Sequence, residues 1–194
     1  MPAPSVFHRR ALLWRCLALL GLWPRPAWGR RQTPSSRYRT LREPVVLPLE
    51  RVDVPWRPVW FDAWVPALVG DVSGASDLLL KGVLVRLSQA SATTSLKAFC
   101  LTCPHEICQV GYVKDTETVR LEPEAKPDHP LLVCPCHFSI FNPVADGARI
   151  SGPAGRGLYR FRLRLEENLV EIVDVEEDVL SRLRSSSNHP GEES

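Results

Sequence analysis

The chain has 194 residues, 44% of them apolar, with 18 prolines and a formal net charge of +2. That is enough chain for one modest core, and the prolines with the supply of Val and Leu speak against a helical bundle. Residues 1–42 carry nine arginines and no acidic residue, whereas from Pro44 onward 15 Lys and Arg face 21 Asp and Glu; a nucleic-acid-binding domain would want its positive patch on the folded body, so that role is set aside.

The chain opens on His8-Arg9-Arg10, followed by an apolar stretch from Ala11 to Trp23 broken once by Arg15. As a helix it would span roughly 20 Å, short of the ~30 Å hydrocarbon core, which suits the apolar part of an export signal. Ala27-x-Gly29 offers a small-residue cleavage site, and the arginine pair fits a twin-arginine or an ordinary secretory leader. Residues 1–29 are thus expected to be an export signal or an uncleaved signal-anchor. The expected location is the periplasm or the outer face of the cytoplasmic membrane, with membrane association. Residues 30–44, rich in Arg, Ser, Thr and Pro, read as a solvated linker.

From Pro44 the pattern is that of short strands. Val45-Val46-Leu47-Pro48-Leu49 reads as an edge strand, because an interior proline cannot donate to a ladder. Val83 to Leu87 and Leu96 to Leu101 follow, then Thr118 to Leu121 and Leu131 to Val133. The clearest alternation has Tyr159, Phe161, Leu163 and Leu165 inward and Arg160, Arg162 and Arg164 outward, turning at Glu166-Glu167-Asn168 into Leu169 to Val175. Glu176 to Arg184 reads as a closing helix, acidic at its start and basic at its end as the helix dipole favours. Residues 185–194 read as a disordered tail. No repeat, phosphate-cradling glycine loop or Ser/His/Asp arrangement stands out, and no catalytic residue is expected.

Six cysteines fall unevenly: Cys16 in the leader, Cys100, and then Cys103, Cys108, Cys134 and Cys136 in two groups. The first group is Cys103-Pro104-His105-Glu106-Ile107-Cys108, and the second is Cys134-Pro135-Cys136-His137-Phe138-Ser139. Two of the chain's five histidines sit in these groups. Three readings compete. A structural zinc site finds one Cys-x₂-Cys knuckle in Cys100 and Cys103 but no matching second half. Disulfides alone leave both histidines unexplained. A two-iron cluster held by two cysteines and two histidines would take Cys103 and His105 from one loop and Cys134 and His137 from the other.

Cys-x-His-x-x-Cys and Cys-x-Cys-His, with Ser139 two residues after the histidine and Gly152-Pro153-Ala154 further on, resemble the signature of Rieske iron–sulfur proteins. The resemblance covers roughly residues 45–176, with its specific part in these three loops. It implies an all-β fold, an antiparallel sandwich in residues 45–184 with a cluster-binding subdomain inserted at about 100–155. It implies one [2Fe–2S] cluster, ligated by Cys103, His105, Cys134 and His137. It further implies a disulfide between Cys108 and Cys136, a hydrogen bond from Ser139 to a cluster sulfur, and a shielding loop formed by Gly152, Pro153 and Ala154. The disulfide agrees with an oxidising compartment, while Cys100 is expected to be a buried small hydrophobe and Cys16 filler in the leader.

The function implied is one-electron transfer, as a subunit of an oxidoreductase complex rather than a complete enzyme. The expected assignment is the iron–sulfur subunit of a membrane-associated quinol:cytochrome c-type oxidoreductase, with cytochrome or other oxidoreductase subunits, and quinol, as partners. The alternatives are the small subunit of an arsenite-oxidase-like molybdenum enzyme and a stand-alone periplasmic carrier. A ring-hydroxylating oxygenase does not fit, as those Rieske domains usually lack the extra cysteine pair. Phe141 stands where high-potential members carry a tyrosine, Glu106-Ile107 replaces a common Leu-Gly, and Phe138 replaces a glycine. These differences imply a potential between those of the ferredoxin-like members and the quinol oxidisers.

Overall fold

A computed structural model describes residues 37–66, 76–121 and 127–187, side chains of the last three excepted. The expected leader and the far end of the expected tail lie outside the described residues. Among the described residues, no helix is long and apolar enough to cross a membrane.

The architecture is all-β and antiparallel, as the sequence pattern implied. Strand β1 (Tyr38–Pro48) pairs with β10 (Leu169–Glu176), which pairs in turn with β9 (Phe161–Glu166). A second three-stranded sheet runs β2 (Val59–Val65), β3 (Leu78–Arg86), β4 (Leu96–Cys100). Between β4 and β9 the chain makes a smaller four-stranded sheet of β5 (Gly111–Val113), β6 (Leu131–Val133), β7 (Ile140–Asn142) and β8 (Ala148–Ser151). Among the described residues two α-helices join the strands, the single turn α1 (Ala92–Ser95) and the closing α2 (Asp178–Ser187).

Strand β3 explains how the large and small sheets are joined. Leu80 and Leu84 enter the core between the two three-stranded sheets, alongside Phe61, Val170 and Ile172. Val83 and Val85, on the opposite face, enter a second core with Phe99, Leu132, Phe141 and Leu158. A strand buried on both faces reads as a continuous apolar run rather than an alternation, and Val83-Leu84-Val85 is such a run. The free thiols of Cys103 and Cys134 belong to this second core, so the packing that fixes the small sheet also fixes them.

Four local readings differ from the structure. The expected linker is already strand from Tyr38: residues 38–40 pair with 174–176, a register shift follows, and Leu41 is buried. Its arginines and its polar composition concealed an edge strand held by backbone ladder bonds, with Tyr38 under the Arg162 guanidinium at 4.2 Å. No strand forms at the expected 118–121: a 3₁₀ turn (Thr116–Thr118) takes its first residue, because the Asp115 side chain accepts the Glu117 N–H at 3.0 Å and turns the backbone. Strand β2 had no place in the sequence reading. Val59, Phe61, Ala63 and Val65 point inward, but two of the three outward positions are Trp60 and Trp64, which hide the alternation. The closing helix forms with the expected charge gradient, Asp178 in its first turn and Arg184 in its last, but its bounds shift: Glu176 is the last residue of β10, and the helix runs on to Ser187, through the first three residues of the expected tail.

If residues 38–43 are strand rather than linker, a protein begun at Pro44 should melt several degrees below one begun at Ser36. Losing the Tyr38–Thr40 pairing and the buried Leu41 removes about 2 kcal/mol or more, which thermal unfolding followed by circular dichroism would register.

Candidate metal centre

Two turns and one loop at the end of the small sheet build the site. The first turn links β4 to β5. An isolated bridge between Thr102 and Gln109 closes its base, and inside it the Cys103 N–H donates to the Cys108 carbonyl at 3.0 Å. The second turn links β6 to β7, closed by the Cys134 N–H donating to the Ser139 carbonyl at 2.9 Å and the Phe138 N–H to the Cys134 carbonyl at 3.0 Å. Because each turn is anchored on strands of the second core, its first cysteine points inward and its histidine outward.

The thiols of Cys103 and Cys134 lie side by side, and both residues are buried. Burial pushes the Cys103 thiol above its ordinary value, and the neighbouring Cys134 pushes it the same way; the backbone N–H groups of His105 and Glu106 face the sulfur and favour the thiolate. Outside, the rings of His105 and His137 stand 4.9 Å apart, nearly perpendicular at 84°. His105 is partly buried and the His137 side chain is about half exposed, with Nδ1 at 3.5 Å from a Glu106 carboxylate oxygen. Donor atoms of His105, Glu106 and His137 all lie within 4.8 Å of one another. The four expected ligands therefore come as two pairs sorted by chemistry, sulfur inside and imidazole at the surface.

Cys108 and Cys136 form a disulfide across the two turns, with Cα atoms 6.6 Å apart. Its sulfurs and that of Cys134 lie within 4.8 Å of one another, so the bridge sits directly beside the inner pair. Cys100 is buried and free, with its sulfur 3.5 Å from the Thr102 hydroxyl oxygen, and burial raises its thiol; it takes no part in either pair.

The loop at 152–155 lies against the second turn. Ser139 is fully buried, and its Oγ accepts the Ala154 N–H at 3.1 Å, leaving the hydroxyl proton free to donate elsewhere. Gly152 adopts φ +88°, and a Cβ there would stand 2.4 Å from the Ser139 Cα, so only glycine lets the two backbones meet. Ala154 is buried, Pro153 exposed. Phe138 takes a left-handed φ of 54° where the resemblance implied glycine, and its exposed ring has the Arg120 guanidinium 5.9 Å away. With exposed Ile107 it gives the histidine end an apolar rim. Arg120 was read only as part of the expected strand at 118–121, and no local pattern marks it for the site; it reaches Phe138 only through the fold.

No protein-family model matches the sequence, and no curated protein matches it. Among solved structures, the soluble domain of the Rieske protein II from Sulfolobus acidocaldarius matches at 18% identity and a TM-score of 0.35, over 72% of this chain and 68% of that one. At that level the chemistry must be read from the residues of this chain.

Two substitutions probe how the loops are held. Gly152→Ala should destabilise the protein by about 2–4 kcal/mol, the sum of a left-handed alanine and a backbone clash, measured by urea unfolding. Replacing Cys108 and Cys136 together by serine opens a loop whose ends are 28 residues apart. In the metal-free protein that should cost about 3–4 kcal/mol on the chain-entropy model, and the loss should shrink once metal ties the same turns.

Proposed function

We propose that this chain binds one Rieske-type [2Fe–2S] cluster and passes single electrons through it. The observation that carries the reading is the sorting of four donors into a buried thiol pair and a surface imidazole pair, each pair drawing one member from each turn. A single zinc ion wants four convergent donors; two pairs of different chemistry suit two metal ions, one taking sulfur and the other nitrogen.

When bound, such a cluster supplies a one-electron couple, at about −150 to +300 mV because two neutral imidazoles replace two thiolates. The residues do the rest. Cys103, whose thiol burial pushes up, and its buried neighbour Cys134 would bind as thiolates, each losing its proton to make room for a metal cation. His105 and His137 would hold the outer iron and keep their second ring nitrogens toward solvent, where a proton can follow the electron. Ser139 would use its free hydroxyl proton on a cluster sulfur, which favours the electron-rich state and raises the potential. Phe141, fully buried in β7, brings no hydroxyl.

The reading extends to the chain's setting. Its leader and disulfide support export, and the preferred assignment is the iron–sulfur subunit of a membrane-associated quinol:cytochrome c-type oxidoreductase. A stand-alone carrier that docks another protein is the second reading. It is favoured by the Glu106 carboxylate beside His137 and by the apolar rim of Ile107 and Phe138, which alter the face a quinol would meet.

The purified full chain should be coloured and contain two irons and two acid-labile sulfides per chain, and His137→Ala should lose or change that centre. A colourless protein carrying zinc would contradict the proposal. Phe141→Tyr should raise the midpoint potential by about 40 mV, one hydrogen bond's worth for a one-electron couple, read by protein-film voltammetry.

A further inference from the structure

The loop at 152–155 is held at its start and its middle: the Arg149 guanidinium donates to the Gly152 carbonyl at 2.6 Å, Gly152 meets Ser139, and Ala154 is buried in the second core with its N–H on Ser139. Pro153 and Gly155 are exposed. The loop's other end runs into Arg156, whose surroundings are far more constrained. The Arg156 guanidinium lies over the Tyr159 ring at 4.5 Å, donates to Asp178 at 2.6 Å, and donates to one oxygen of Glu176. Glu176 has no exposed side-chain surface. Its other oxygen accepts the Arg160 Nε–H at 2.8 Å, and its backbone N–H donates to the Arg160 carbonyl at 3.0 Å.

A fully buried carboxylate carries a large desolvation cost, and a buried ion pair is often no more stabilising than apolar residues of the same size. What such a network does supply is a fixed geometry. Here it fixes the residue directly after the loop to the junction of β10 and α2, in the main body of the sandwich. Two residues back, Ala154 meets Ser139, and Ser139 closes the turn that holds Cys134.

We propose that Arg156, gripped by buried Glu176, is a positioning residue that keeps the shielding loop closed on Ser139 and so sets the hydrogen bonding and solvent access of the metal centre. The inference rests on reading that centre as an iron–sulfur site, but the closure itself does not require metal.

The test compares Arg156→Gln, Arg156→Lys and Arg162→Gln in the full chain. Arg162 pairs with Asp174 at 3.0 Å on a strand face, so its loss removes one positive charge without touching the loop. Hydrogen exchange of the Ala154 amide, in metal-free protein, should speed up at least tenfold in Arg156→Gln, less in Arg156→Lys, and not at all in Arg162→Gln. The Val170 and Ile172 amides should keep wild-type rates in all three. In iron-loaded protein, Arg156→Gln should lower the midpoint potential, and in a Ser139→Ala background the same substitution should add nothing. Wild-type exchange at Ala154 in folded Arg156→Gln, or an undiminished potential shift in the Ser139→Ala background, would overturn the proposal. If Arg156→Gln does not fold, Arg156→Lys decides by the same two readouts. A wild-type protein without iron would defeat the reading of the centre, while the exchange comparison would still decide whether Arg156 holds the loop.

Discussion

Burying two thiols against each other is the constraint on which the rest of this molecule depends. Cys103 and Cys134 sit in an apolar core with Phe99, Leu132 and Phe141, where burial and the neighbouring sulfur push the Cys103 thiol up, and a metal cation is the partner that would favour both as thiolates. The surrounding elements keep that pair together: β3 with both faces buried, the short strands on which the two turns stand, the disulfide outside the pair, and the loop that lies over Ser139.

The gradient from inside to outside follows from the same packing. Each turn starts with a cysteine in the core and is closed at its base, by the Thr102–Gln109 bridge in the first and by the Cys134–Ser139 hydrogen bond in the second, so the intervening histidine lies toward the surface. The histidine rings meet there at a right angle, beside Glu106 and within an apolar rim. In the proposed reading, an electron held there would lie near solvent, with the sulfur side shielded by protein.

The chemistry was legible in the sequence to a degree that the fold was not. Cys and His at fixed spacing identify a donor set wherever the chain places it, so the two pairs could be anticipated without knowing a strand order. The Phe161–Leu165 alternation and the Asp178-to-Arg184 charge gradient were likewise readable, because one face of each element meets the core and the other meets water. Strand β2 escaped because tryptophans occupy its outer face, and the start of β1 escaped because backbone pairing, which leaves no compositional trace, holds it. The grip on Arg156 was invisible for a third reason: Glu176 lies twenty residues further along and becomes its partner only through the folding of β10 beside the loop.

X-ray absorption at the iron edge of the purified full chain addresses the sorted donor pairs most directly. The account predicts a mixed shell of sulfur and nitrogen, roughly three to one averaged over the irons, with the nitrogen part diminished in His105→Ala or His137→Ala. An all-sulfur shell, or metal bound as zinc alone, would contradict it.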